Sequence, residues 1–340
     1  RVMLQQLRCQ ADMIQRCLSV ALALLGLAVL SACETSTLAP RATGVTPQER
    51  PAAPIATGAV KPPAARVEPT EASRAMAAFY ARTQANLLAK GLLRTDGGGP
   101  DAPFTDTMLA RNFAAIALEE EYVRGQGLRP TGANAQSAIK KWVEPVRVSV
   151  EFTPNVPSDQ RAWDRAEITT FSKRLQSVTG HPVTMTDQSP NFHVIFVAQD
   201  DHALVAQRIQ DIVPDVNPSA LRIFQSIPRG IHCLVMAFAS ENGGYAYGNA
   251  IAVIRSEHPE LMRRSCVHEE MAQGFGLTND SPSARPSIFN DDEEFALLTQ
   301  HDELLLQILY DPALRPGMLA DEAMPIVRRK AAALTGNDMP

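Results

Sequence analysis

Apolar residues first recur at helical spacing from Glu71 onward, at Met76, Phe79, Tyr80, Leu87, Leu88 and Leu92. Intervals of three and four put these side chains on one helix face. The run TDGGGP at 95–100 stops that helix. A second helix is expected from about Thr105 and Asp106, with Leu109, Phe113, Ile116 and Ala117 on one face, ending near 124–127. A short third piece, 135–142, leads into a different texture. From 146 the period drops to two, and VRVSVEF (146–152) alternates as a half-buried strand. Residues 158–179 form a long amphipathic helix through Trp163, Ile168, Phe171, Leu175 and Val178, stopped by Gly180. Strands are expected over 183–186, 192–197, 233–238 and 245–254, with 192–197 apolar enough to be central. A helix covers 204–213 between them, and a last one covers 259–275. The predicted fold class is α/β (α+β), a mixed sheet with a central helix, preceded by a small helical segment.

Upstream of Glu71 the pattern is of another kind. The chain opens on Arg1, and Met13 is the better initiator. Arg16 then supplies a positive segment and 18–30 an apolar one, closing on Leu30, Ser31, Ala32 and Cys33. This resembles a bacterial lipoprotein signal, which implies that Cys33 is lipidated and becomes the mature N-terminus. An ordinary signal peptide cut near Ala32, or a short anchor, are the alternatives, although the apolar run is short for a span. Glu34 after the cysteine leans towards the outer membrane, facing the periplasm. Residues 34–73, rich in Pro, Ala and Thr without periodicity, read as a disordered tether. The expected organisation is thus a leader at 1–33, a tether at 34–73, a helical segment at 74–143 and a main domain at 144–336.

Charge and cysteine usage narrow the picture. A net charge of -5 gives no support for nucleic-acid binding, which would want a clustered basic face, and no nucleic-acid partner is expected. Of the five cysteines, Cys9 and Cys17 leave with the leader and Cys33 carries lipid. Cys233 and Cys266 remain, an even pair that exported chains oxidise to a disulfide; two buried thiols are the other reading.

The candidate chemistry lies in CVHEEMAQGFGLTND, 266–280. His268 and Glu269 begin the zinc-protease pattern H-E-x-x-H, but Ala272 stands where the second histidine belongs. Shifted by one residue, EEMAQGFGLTND (269–280) resembles the longer metzincin signature H-E-x-x-H-x-x-G-x-x-H. The resemblance implies a general base at Glu270, a chain-turning glycine at Gly276 and a trailing Asp280. Its three ligand positions hold Glu269, Gln273 and Asn279. SIF at 287–289 falls where metzincins carry their Met-turn, with Phe289 in place of methionine. LTQHDELLLQILY (298–310) is similar to their last helix, which implies that Asp302 tethers it. His193 and His232, on predicted strands, lack partners at ligand spacing and read as structural; His268 points away from Glu269 and reads as a residue at the surface or behind the site, and His301 sits with Asp302 at the start of the last helix.

A closer resemblance is to the DUF2927 family of bacterial proteins, often lipoproteins. It rests on Cys266, Glu269, Glu270, Gln273, Gly276, Leu277, Asn279 and Asp280, and extends over about 75–320. It implies a fold and a site, not a reaction. Carboxylate and amide oxygens suit calcium, magnesium or manganese better than zinc. Two functions follow. One is a lipid-anchored, metzincin-like domain that has lost zinc chemistry and binds a peptide, glycan or envelope partner. The other is a hydrolase using Glu270.

Overall fold

The computed structural model describes residues 68–120 and 136–336, apart from 226, 242 and 291. All of these fall in the second of the two units into which the chain divides, Ala64–Pro340. The leader, Cys33 and the tether up to residue 67 lie outside the described residues.

Six strands make one sheet: β1 (Lys141–Trp142), β2 (Val146–Phe152), β3 (Val183–Met185), β4 (Phe192–Val197), β5 (Cys233–Ala239) and β6 (Ala246–Arg255). β3, β2, β4 and β6 lie side by side in parallel. β1 joins β6 at Ala246 and Tyr247, just ahead of the stretch where β4 pairs from Ala250 onward. β5 alone is antiparallel, and it runs along the other side of β6 from Cys233 opposite Ile254 to Ala239 opposite Tyr247. The mixed α/β class expected from the sequence is the one observed.

β4 explains why the sheet is buried on both faces. Successive side chains alternate between faces, and all six residues of FHVIFV are buried. Phe192, Val194 and Phe196 join the larger core, while Ile195 and Val197 join a second one. The larger core is covered by α2 (Asp106–Ala117), α3 (Ser158–Thr179), α6 (Glu260–Gln273), α7 (Gln300–Leu309) and α8 (Ala320–Thr335). The second is covered by α4 (Ala203–Ile212) and α5 (Pro218–Gln225), through Val205, Ile209 and Phe224. Burying each such side chain is worth about 1.5–3 kcal/mol. α1 (Glu71–Ala89) makes a smaller cluster in which Tyr80 meets Leu93, Met262 and Ala296.

Several expectations need correction. Residues 141–142 of the third helical piece are strand β1, because pairing with β6 satisfies their backbone. α2 ends at Ala117, earlier than expected, where the Leu118 N–H caps the Ala114 carbonyl; residues 121–135 lie outside the described residues. α1 begins at Glu71, where the helical spacing places it, so the tether boundary at 73 falls inside the helix; the Thr70 hydroxyl accepts from the Ser73 N–H. α5 and α8 were not foreseen.

The end of α6 is the tightest passage in the chain. Gly276 has φ +122°, a conformation open in practice to glycine alone. A Cβ there would land on the Lys140 carbonyl and 2.9 Å from Leu309 Cδ2. Gly276→Ala is therefore expected to lower unfolding free energy by about 3 kcal/mol, from strain and overpacking together. Gly180, with φ +67° but open space around it, should lose only about 1 kcal/mol on the same change. Urea unfolding of the two variants compares them; equal losses would contradict the close approach at Gly276.

Candidate functional site

α6 is fastened at both ends. Near its start, buried Arg263 donates to Asp164 on α3 at 2.6 Å and to the His258 carbonyl at 2.7 Å. At its end, carbonyls left without helical partners are met by side chains. Trp142 Nε1 donates to the Gly274 carbonyl at 2.8 Å, and the Tyr310 hydroxyl donates to that of Phe275 at 2.9 Å. Lys141 fixes the end of α7 in turn, its amine donating to the carbonyls of Leu309 and Asp311. Burial, partly offset by Asp311, lowers that amine's pKa to about 8.

The segment 285–299 is fixed to α7 by one carboxylate. Buried Asp302 accepts from Ser287 Oγ at 2.5 Å, from the Ile288 N–H at 3.1 Å and from the Thr299 N–H at 3.0 Å. Thr299 and Asp302 form a reciprocal capping box at the start of α7. Phe289 is fully buried in the core beneath, and its carbonyl accepts from the Ser281 N–H at 2.8 Å.

Between α6, β5 and the 285–299 segment lies a cleft of about 1020 Å³. β5 lines it along its whole length, from Cys233 to Ala239. Glu269, Glu270 and Gln273 of α6 line it as well, so three of the residues singled out in the sequence share one cavity. Glu270 is buried and Glu269 half-buried. The Cys233–Cys266 disulfide is formed and joins the start of β5 to the middle of α6. One carboxylate oxygen from each glutamate and Cys233 Sγ lie within 4.8 Å of one another.

Two assignments change. Asn279 does not line the cleft; its amide donates to the Ala115 carbonyl at 2.8 Å, and its N–H donates to that of Ile116. The turn after Gly276 is therefore used to cap the end of α2, which takes Asn279 away from the position of a third ligand. Asp280, expected behind the turn, lines the cleft together with Thr278. The sequence reading also missed Cys233 as a neighbour of the glutamates. The disulfide expectation pointed there, since it tied the strand to the helix.

Three of the four histidines named above are held by other groups of the fold. His268 is buried, not at the surface: Nδ1 accepts from the Leu298 N–H at 3.0 Å, which leaves Nε2 to donate to Glu167 at 3.2 Å. Its ring stacks on Phe171 at 4.1 Å, and burial lowers its pKa against the pull of Glu167. His301 Nε2 meets the Asn112 amide at 3.0 Å. His232 precedes β5 instead of lying on a strand, and it lines the cleft. His193 is held at Nδ1 by Glu151, 3.0 Å away, which Arg208 grips with two bonds. Burial works to raise the Glu151 pKa, but His193 and Arg208 outweigh it and hold it at about 2.

A family described as protein of unknown function (DUF2927) matches residues 106–329, more than half of the chain. No curated protein matches it, and no solved structure does. The match takes in every strand of the sheet, α6, the Gly276 turn and α7.

Proposed function

The chain belongs to the DUF2927 family, and we propose that it is a lipid-anchored envelope protein that binds extended, basic peptide segments by strand addition to β5. The observation that carries this reading is the outer edge of β5. Its inner edge bonds to β6, and among the described residues its outer backbone groups bond to nothing else. Such a row is a template for one more strand, and here it faces the cleft. Charge selects the ligand. Asp215, Glu241, Glu269, Glu270, Asp280 and Glu293 line the cleft, while Lys140 there is paired with Glu120 at 2.7 Å. A segment carrying Lys or Arg complements that wall.

The metzincin likeness belongs to the same proposal. What supports it is the order of parts: an edge strand beside a helix bearing Glu269 and Glu270, a glycine turn at Gly276, the 287–289 segment beneath, and α7 held by Asp302. Two of its three ligand positions, Glu269 and Gln273, line the cleft, and neither is histidine. That favours a pseudo-protease over a zinc peptidase. The second reading, a hydrolase with Glu270 as general base, is favoured by one observation: a buried carboxylate lining the cleft.

Peptide arrays separate the readings. Binding to extended Lys- or Arg-bearing peptides is expected, with loss of about tenfold or more in affinity when the peptide's strand-forming amides are N-methylated. Glu269→Gln should weaken binding with no product formed at any stage. Cleavage that disappears in Glu270→Gln would replace the binding reading with the hydrolase. Indifference to N-methylation would end strand addition.

Anchoring rests on the apolar run 18–30 and on Cys33. Among the described residues no helix is long and apolar enough to cross a membrane. Cys33→Ser is expected to abolish incorporation of labelled fatty acid in cells. Undiminished labelling would refute the anchor.

A further inference from the structure

We infer that reduction of the Cys233–Cys266 disulfide turns the floor of the cleft into a binding site for one borderline-soft divalent cation, zinc above all, held by Cys233, Cys266, Glu269 and Glu270. The proposal uses only the disulfide and the two glutamates, so it stands or falls apart from peptide binding at the strand edge.

Three of the four donors are already gathered. Cys233 Sγ and one carboxylate oxygen from each glutamate lie within 4.8 Å of one another, and Cys266 Sγ is bonded to Cys233 Sγ. As a disulfide these sulfurs are poor donors, because the thiolate is the form that binds metal. That leaves two carboxylates, which suit harder ions and fall short of a four-ligand zinc site. A dithiol reductant changes the set. It delivers two electrons to the S–S bond and becomes a disulfide itself, and two protons leave thiols at Cys233 and Cys266. Metal binding then displaces those protons.

Little needs to move. Two thiolates on a tetrahedral zinc stand about 3.8 Å apart, and sulfur–oxygen pairs about 3.5 Å apart. The Cα atoms of Cys233 and Cys266 are 5.8 Å apart, so side-chain rotation parts the sulfurs while β5 and α6 stay in place. Buried His258 already faces Cys266 Sγ, its Nδ1 3.6 Å away, which gives a reduced thiol an acceptor before metal arrives. The bond thus acts as a gate: oxidised, it ties strand to helix and withholds the sulfurs; reduced, it supplies them.

The test uses the full chain, as purified and after a phosphine reductant has been applied and removed under nitrogen. Both forms are titrated with cobalt(II), and with zinc(II) against a chromophoric chelator. The reduced chain is expected to bind one ion about a hundredfold more tightly than the oxidised chain, with thiolate-to-cobalt charge-transfer absorption. Glu269→Gln and Glu270→Gln, both close in shape to the parent side chains, should each weaken zinc by about tenfold or more and keep that absorption. Cys233→Ser should remove the tight site. Equal affinity in the oxidised and reduced forms overturns the gate. Reduced-chain affinity unchanged in both glutamine variants overturns the site, since it takes Glu269 and Glu270 out of the ligand set.

Discussion

Every backbone N–H and C=O needs a partner or water, and a sheet has to end somewhere. Here the parallel strands end at β5, an antiparallel strand that, among the described residues, is bonded on one side only. An exposed edge of that kind invites pairing with another chain. In this fold the edge faces a cleft floored by α6 and walled by carboxylates, and the proposed strand addition would take place inside it. The remaining parts of the site matter because they set the distance between that edge and that floor.

Three devices set it. The disulfide closes a loop of 33 residues between β5 and α6, a constraint worth about 3–4 kcal/mol on the unfolded chain. The α6 C-terminus is held by Trp142 and Tyr310, with Gly276 pressed against the backbone at Lys140. Asp302 binds the opposite wall to α7 through Ser287 and Ile288. Each joins segments far apart in the sequence, so the cleft is a product of tertiary structure.

Much of this was legible in the chain, for physical reasons. Two-residue alternation over 146–152 and the largely apolar run over 192–197 each matched a strand to the residue. Gly180, in the left-handed conformation, ended α3 where expected. Less visible were elements whose partners are remote. β1 has two residues and exists through its pairing with β6. α2 stops where the segment after the Gly276 turn caps it, since the N–H groups of Thr278 and Asn279 both donate to the Ile116 carbonyl. The same contact explains the misplaced ligand: spacing put Asn279 at the cleft, but its amide is taken by Ala115. Helical periodicity grouped Glu269 with Gln273 correctly, and it could not reveal that Cys233 would stand beside them, because Cys233 comes from β5, a separate element remote in the sequence.

The central claim is that β5 offers its outer edge to an incoming strand, and amide hydrogen exchange tests it most directly. In the free protein, alternate β5 amides, those turned away from β6, should exchange fast while the β6-bonded ones are protected. Adding a basic, extended peptide should slow the fast set and leave the rest unchanged. Outward amides already protected in the free chain, or left fast when the peptide is bound, would contradict the account.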